Sequence, residues 1–252
     1  METRTRELIG YWDRRAPSYT EVIRKNLEGE WDGRWADMLI SRFPEPGAEP
    51  ISVLDVGTGP GFYAIILAER GYRVTAVDYA ENMLAEARRN AGDLAERITF
   101  RQMDAHSLDF PTGSFDALVT RNLTWNLADP ERAYGEWLRV LRPGGVLLNF
   151  DASWYAYLVD REKEAEFRRD RENTRLYGVS DHNSYAESDR MEDLSRSLPM
   201  TRRHRPQWDL ETLTALGCAS VTAETDISRE VWSREEQINY ASTPGFLIRA
   251  VK

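Results

Sequence analysis

Residues 53–62 constrain the fold of this chain more than any other stretch. Their sequence, VLDVGTGPGF, is an apolar run that ends in an acid and continues into three glycines at every second position. Glycines spaced in this way let the backbone turn tightly and approach a ligand where a β-carbon would collide. They stand where a strand passes into a helix whose first N–H groups have no partner within the helix. This arrangement is typical of a nucleotide-type ligand site in an open α/β sheet.

The residues around this turn alternate between strand and helix patterns. The alternation predicts a doubly wound α/β sheet with right-handed crossovers and helices on both faces. The predicted strands are residues 51–56, 72–77, 98–103, 115–120, 146–150, 219–223 and 245–251, and the predicted helices of this part are 61–70, 80–91, 130–141 and 210–216.

Two further regions flank or interrupt this pattern. Residues 1–47 predict a helical cap, which ends in the breaker-rich stretch 43–50 before a domain that spans 48–252. Residues 152–208, here called the lid segment, carry many charges and scattered aromatic residues but little core periodicity. A segment of this length in a compact domain is rarely an idle loop, so we expect an inserted lid with one or two helices.

The composition narrows the choice of partners. The formal net charge of −9 argues against a nucleic-acid partner, and the apolar runs fall short of the roughly 18 residues of a membrane span. One cysteine and three histidines show no metal-ligand spacing, and the first residues lack a signal-peptide core. These features predict a cytoplasmic protein without a metal; a homodimer stays open. The basic patch 202–205 is either a solvated loop or a contact to an anion or carboxylate.

Asp78 gives the glycine turn its meaning. It ends the second predicted strand 21 residues after Gly57, where an acid can accept both hydroxyl hydrogens of a ribose, although a helix N-cap is the alternative. The third glycine, Gly61, stands one residue earlier than in the dehydrogenase fingerprint, and a second dinucleotide half is missing. A nicotinamide dehydrogenase is therefore disfavoured.

Four segments together resemble a class I S-adenosylmethionine (SAM)-dependent methyltransferase of the small-molecule type, with a core like that of the quinone methyltransferases. They are VLDVGTGPGF (53–62), VTAVDYAENM (74–83), RQMDAHSLDFPTGSFDALVTRN (101–122) and LRVLRPGGVLL (138–148). The resemblance covers roughly residues 50–151, and the N-terminal YWDRRAPSY (11–19) is similar to a cap segment of this type more loosely. It implies a Rossmann-like sheet of seven strands, mostly parallel with the last strand antiparallel.

The resemblance also implies roles for individual residues. The turn should hold the methionine part of the cofactor, Asp78 the ribose, and Arg121 the methyl side, mainly through its backbone carbonyl. Asp55 should orient the ammonium group, and Asp104 and Ala105 should meet the adenine. The implied cofactor-binding residues are Asp55, Gly57, Gly59, Gly61, Asp78, Tyr79, Met83, Asp104, Ala105, Arg121, Tyr11 and Tyr19.

Residues for the chemistry itself are harder to assign, because methyl transfer from a sulfonium depends mainly on alignment and on exclusion of water. Asn122, Trp125 and Asn126 follow the fourth strand at the ligand-binding edge and are the candidate catalytic residues, with core packing and helix capping as alternatives. His106 is expected to be structural, whereas His182 and His204 are candidate bases in the lid segment. Trp12, Trp154, Tyr155 and Tyr157 are expected to line a substrate pocket between cap and lid, together with Trp31 and Trp35.

The leading hypothesis is a methyltransferase that acts on a small molecule. Two alternatives remain: an enzyme of the same fold that cyclises or rearranges SAM itself, and a non-catalytic SAM-binding protein.

Overall fold

The computed structural model describes residues 2–29, 31–45 and 47–252, and the side chains of 5–29, 32–45 and 47–252. The strands are β1 (Ser52–Val56), β2 (Arg73–Asp78), β3 (Ile98–Gln102), β4 (Phe115–Arg121), β5 (Leu141–Asp151), β6 (Ser220–Glu224) and β7 (Phe246–Val251). The helices are α1 (Glu2–Leu27), α2 (Trp31–Ile40), α3 (Phe62–Glu69), α4 (Glu81–Ala91), α5 (Pro130–Val140), α6 (Arg161–Tyr177), α7 (Ser188–Ser195), α8 (Gln207–Ala215), α9 (Ser228–Val231) and α10 (Arg234–Asn239).

The seven strands form one sheet in the order β3-β2-β1-β4-β5-β7-β6. Strands β1 to β5 pair in parallel, whereas β7 runs antiparallel to both β5 and β6. The predicted Rossmann-like architecture, with seven strands of which the last is antiparallel, is confirmed. Since β1 and β4 are neighbours while the chain leaves them toward opposite edges, the carboxyl ends of these two strands border the crevice where ligands bind in such sheets.

The core lies on both faces of the sheet. Successive residues of a strand point to opposite faces, so Val53 packs toward α2 and α3 while Leu54 packs toward α5 and α8. The same alternation holds at positions 118 and 119 of β4 and 147 and 148 of β5. Central strands buried on both sides explain why these segments read as continuous apolar runs.

Strand β5 begins five residues earlier than the sequence indicates. Its first paired residue is Leu141, and an irregularity follows before the regular pairing of Val146 with Ala117. Gly144 adopts a φ of +76°, and its N–H donates to the Lys252 carbonyl. The stretch between the predicted helix 130–141 and the predicted strand 146–150 is thus a local bulge in β5, which Lys252, directly after β7, ties into the sheet.

The lid segment contains α6 and α7, and the chain then adds two short helices, α9 and α10, that the apolar pattern did not indicate. A sequence signal for α10 was present: Ser233 and Glu236 form a reciprocal capping box. Among the described residues, no helix combines the length and apolar character required to cross a bilayer.

Candidate active site

The glycine turn lies at the carboxyl ends of β1 and β2. The N–H groups of Gly57 and Thr58 both donate to the Val77 carbonyl, at 2.8 and 3.0 Å. Gly57 has a φ of +69°, and a β-carbon there would lie 2.8 Å from the Leu123 methyl carbons. Gly61 has a φ of +93°, and a β-carbon there would lie 3.0 Å from that of Ala87. Both positions therefore require glycine for conformation and for space.

A cavity opens beside this turn and encloses about 1100 Å³, the open space at its mouth included. The strand ends form its floor, and α1 closes it from above. The predicted site residues that line it are Asp55, Gly57, Gly59, Asp78, Tyr79, Met83, Asp104, Ala105, Arg121, Asn122, Asn126, Trp12 and Tyr19.

Asp55 is buried, and its side chain is partly committed to the fold. Its Oδ2 accepts from the Thr58 hydroxyl at 2.7 Å and from the Ala64 N–H at 3.1 Å. Burial raises the pKa of Asp55 to about 7, against the opposing effect of these two hydrogen bonds. The carboxyl group therefore both holds the start of α3 and presents a titratable acid to the cavity.

Asp78 is not the N-cap of α4, which is Ala80, and Asp78 lines the cavity. Its Oδ1 accepts from the Ala80 N–H and its Oδ2 from the Gly59 N–H, each at 2.9 Å. Burial raises the pKa of Asp78 to about 6. A carboxylate oxygen has more than one lone pair, so these bonds leave capacity for hydroxyl groups of a ligand.

Asp104 and His106 form a fixed pair at the rim of the cavity. Asp104 Oδ1 lies 2.6 Å from His106 Nδ1 and also accepts the His106 N–H. Since His106 Nε2 accepts from the Asp129 N–H at 3.3 Å, the ring proton belongs on Nδ1, which donates to Asp104. This bond holds the pKa of Asp104 below its usual value. With both ring nitrogens engaged, His106 orients Asp104, in line with the structural role expected for it.

The wall contributed by α1 and α4 is apolar. Met83 is buried against Ala16 and Ala80, and the rings of Trp12 and Tyr19 pack onto this group. Tyr79 extends from the end of β2 with 42% of its surface exposed at the mouth of the cavity. Gly61 is not among the lining residues, because its α-carbon faces α4.

The three candidate catalytic residues take two different positions. Asn122 and Asn126 line the cavity, and Asn122 holds an unusual φ of +54°. Trp125 is instead buried outside the cavity lining: its indole N–H donates to the Asn122 carbonyl and its backbone N–H to Asp151. Trp125 therefore fixes the shape of the turn that carries the two asparagines. The cap of α5 is Asp129, not Asn126.

Three aromatic residues of the predicted substrate pocket pack away from the cavity lining, together with Trp125 and with Tyr11, which was expected at the cofactor. We call these residues the aromatic cluster: Tyr11, Trp125, Trp154, Tyr155 and Tyr157. Tyr11 hydrogen-bonds Tyr185, Tyr157 donates to Glu192, and Trp154 stacks near Trp232 and donates to Asp151. Only Trp12 of the predicted substrate-pocket set lines the cavity. The side chain of Trp31 lies outside the described residues, and Trp35 packs beneath the sheet against Tyr63 and Phe150.

A buried ion triad ties the lid segment to the sheet. The sequence offered a carboxylate contact for this basic patch as one of two interpretations. Arg205 is fully buried and donates to Asp151 at 2.7 Å and to Asp209 through two nitrogens at 2.8 and 2.9 Å. Arg202, Arg203 and His204 are exposed. One residue of the basic patch, Arg205, thus contacts two internal carboxylates. The other candidate base, His182, pairs with Glu235 outside the cavity lining.

Comparison with known proteins identifies the central part of the chain. Residues 54–149 match a family model described as a methyltransferase domain. This match supports the resemblance of these residues to SAM-dependent methyltransferases.

Relatives of this domain include two enzymes of quinone biosynthesis. The chain is 40% identical over 135 residues to the demethylmenaquinone methyltransferase of Thermus thermophilus, which covers 53% of this chain and 60% of that protein. It is 36% identical over 137 residues to the ubiquinone/menaquinone biosynthesis C-methyltransferase UbiE of Methylobacterium nodulans, with 53% and 54% covered. The matched part thus spans at most 60% of the length of these two relatives.

Solved structures show the same fold across nearly the whole chain. A putative SAM-dependent methyltransferase from Methanococcus maripaludis superposes with a TM-score of 0.60 at 22% identity, covering 95% of this chain and 93% of that one. Phosphoethanolamine N-methyltransferase 2 of Haemonchus contortus in complex with SAM gives 0.58 at 20% identity, covering 86% and 52%. At this level of identity the likeness concerns the fold.

Proposed function

We propose that this chain transfers the methyl group of SAM to a small-molecule acceptor. The observation that carries the proposal is the convergence of the cofactor residues on one cavity. Gly57, Asp78, Met83 and Asp104 come from four different elements, and all four border the same space.

The chemistry of the lining suits the cofactor. SAM carries a sulfonium, an ammonium and a ribose, and these groups favour carboxylates and aromatic faces as neighbours. Asp78 has acceptor capacity for ribose hydroxyls, Asp55 presents an acid, and Tyr19 and Trp12 supply rings from α1. When bound, SAM supplies an activated methyl group with its leaving group already attached.

The remaining task of the protein is alignment. Displacement at a methyl carbon proceeds in line, so catalysis consists largely of holding the acceptor at a near-attack distance and excluding water. In this proposal Asn122 and Asn126 orient a polar group of the acceptor, and Trp125 keeps their turn rigid. The apolar side chains of α1, among them Leu8 and Trp12, cover the site from solvent.

A product assay with methyl-labelled SAM tests the proposal. Purified chain is incubated with SAM alone and with a panel of acceptors that begins with a demethylated quinone, because the two relatives named above carry that activity in their names. We expect labelled methyl product and S-adenosylhomocysteine only when an acceptor is present. Consumption of SAM without an acceptor would instead support rearrangement of SAM, and absence of binding in calorimetry would contradict the proposal.

A further inference from the structure

Three buried hydrogen-bond donors near the glycine turn have no partner among the residues that the structure describes. They are Arg121 Nη1, Tyr63 Oη and Trp35 Nε1. Tyr63 and Trp35 are each only 2% exposed. Buried polar groups in native proteins are nearly always hydrogen-bonded, so three unpaired ones in the same neighbourhood call for an explanation.

The three groups belong to one aromatic box on the α2–α3 side of the sheet. The Arg121 guanidinium carbon lies 4.9 Å from the centre of the Trp35 ring and 4.5 Å from that of Phe62. Trp35 and Tyr63 have ring centres 5.6 Å apart. Arg121, Phe62 and Tyr63 also line the cavity, so the box opens directly into it.

The box is electropositive and rich in donors. A guanidinium and an indole N–H only donate, and a phenol has a proton to give, so the natural ligand for this set is an acceptor with negative charge. No carboxylate within the described parts of the chain forms an ion pair with Arg121. Asp55 is close enough for the Arg121 charge to favour its ionised form, but the hydrogen bonds of Asp55 go to Thr58 and Ala64. Arg121 is half-buried and stacks on two rings, but its Nη1 is buried without an acceptor, and a bound anion would supply one.

We propose that Arg121 and Tyr63 form a carboxylate-binding subsite in the wall of the cavity. The proposal rests on the proposed function, because it assigns a part of the same site. Arg121 and Asp55 are opposite charges on one wall, which is the arrangement that a zwitterionic amino-acid group requires. The methionine carboxylate of the cofactor fits this subsite, and a carboxylate on the acceptor is the other source of the same chemistry. Arg121 then acts through its side chain and not only through its backbone carbonyl.

Calorimetry on three variants tests the subsite. The probes are S-adenosylhomocysteine, decarboxylated SAM and 5′-methylthioadenosine, and the variants are Arg121→Met, Arg121→Lys and Tyr63→Phe. Arg101→Met is the matched control, because Arg101 pairs with Asp109 on the surface and does not line the cavity. Thermal melts confirm that each variant is folded.

We expect Arg121→Met to weaken S-adenosylhomocysteine binding by about tenfold or more, the usual effect of losing a charge-assisted hydrogen bond. Arg121→Lys should recover part of the loss, and Tyr63→Phe should show a smaller one. Binding of 5′-methylthioadenosine, whose end is uncharged, should stay within about twofold of wild type, since it gains nothing from the guanidinium. Decarboxylated SAM keeps only the ammonium at that end, so it should bind Arg121→Met no more weakly than wild type. This pattern assigns the subsite to the cofactor.

If the subsite binds a carboxylate of the acceptor and not that of the cofactor, we expect a different pattern. S-adenosylhomocysteine then binds equally to wild type and Arg121→Met, while acetate added to the loaded protein quenches tryptophan fluorescence in wild type only. Equal behaviour of Arg121→Met and wild type toward every probe, acetate included, overturns the subsite. That result is distinct from failure of the proposed function, in which wild type itself binds neither S-adenosylhomocysteine nor 5′-methylthioadenosine.

Discussion

The two sides of the cavity are built on different principles. On the side of the glycine turn, each functional group follows a strand end within a few residues, and backbone N–H groups hold its carboxylates in place, as Gly59 and Ala80 do for Asp78. On the side of the aromatic cluster, side chains are fixed by partners more than 25 residues away, such as Asp151 for Trp125 and Glu192 for Tyr157. The first side is therefore locally specified, and the second depends on the assembled fold.

Removal of the Arg205 side chain should lower the stability of the protein more than any other change on the side of the aromatic cluster. Arg205→Met leaves Asp151 and Asp209 as buried carboxylates without their cation, which costs about 3–5 kcal/mol in comparable buried pairs. Urea unfolding followed by circular dichroism measures the change. Arg202→Met, on an exposed neighbour in the same basic patch, is the control and should stay within about 0.5 kcal/mol of wild type. Equal stability of the two variants would show that the triad does not hold the lid segment to the sheet.

Loss of the charge on Asp78 should weaken binding of the cofactor on the side of the glycine turn. In Asp78→Asn, one of the two backbone N–H groups now bound by the carboxylate faces an amide donor, and the ribose loses an anionic acceptor. We expect SAM affinity to fall by about tenfold or more, as for other hydrogen bonds to charged groups. Calorimetry on Asp78→Asn and on the exposed control Asp109→Asn measures it. An affinity like that of wild type would contradict the ribose role.

The pH dependence of binding should reflect the raised pKa values of Asp55 and Asp78, about 7 and about 6. Both exceed the value of about 3.9 for an exposed aspartate, so the folded state holds these protons more tightly than the unfolded chain. Their contribution to folding stability therefore falls as the pH rises from about 4 to about 7. Cofactor binding favours the ionised carboxylates and should change in the opposite direction.

We expect SAM affinity to rise on the order of tenfold between about pH 5.5 and about pH 7.5. Calorimetric titrations across this range measure the profile, and Asp55→Asn should flatten its upper part. A profile of the Asp55→Asn variant that matches wild type would exclude ionisation of Asp55 as its cause.

A change in the aromatic cluster should matter least. Tyr157→Phe removes one partly buried hydrogen bond to Glu192 and keeps the ring stacked on Phe167 at 3.9 Å. We expect kcat/KM for an acceptor found by the product assay to change by less than about twofold, since such a bond contributes only about 1 kcal/mol and lies outside the cavity lining. A loss of tenfold or more would restore the sequence-based assignment of Tyr157 to the substrate pocket.

The sequence predicts the locally specified side well because its information is short in range. Strand period, glycine positions and an acid at a strand end are enough to place Asp78 beside Gly59. Arg205 and Tyr63 show the limit. The sequence leaves the patch of Arg205 open between a solvated loop and a contact to an anion or carboxylate, and it assigns no role to Tyr63 within the predicted helix 61–70. The contact of Arg205 is with Asp151, 54 residues earlier, and the neighbour proposed for Tyr63 is Arg121, 58 residues later. Local sequence patterns do not predict contacts between residues so far apart in the chain.

The position of β7 between β5 and β6 has a consequence for synthesis of the chain. Since β6 pairs only with β7, it has no hydrogen-bonding neighbour in the sheet until residues 246–251 have left the ribosome. The parallel half, β1 to β4, can form earlier, because all of its strands precede residue 122. We therefore expect a nascent chain that stops short of β7 to have formed the strands of the cofactor site while one edge of its sheet is still unpaired. Such an edge is an exposed surface to which chaperones can bind.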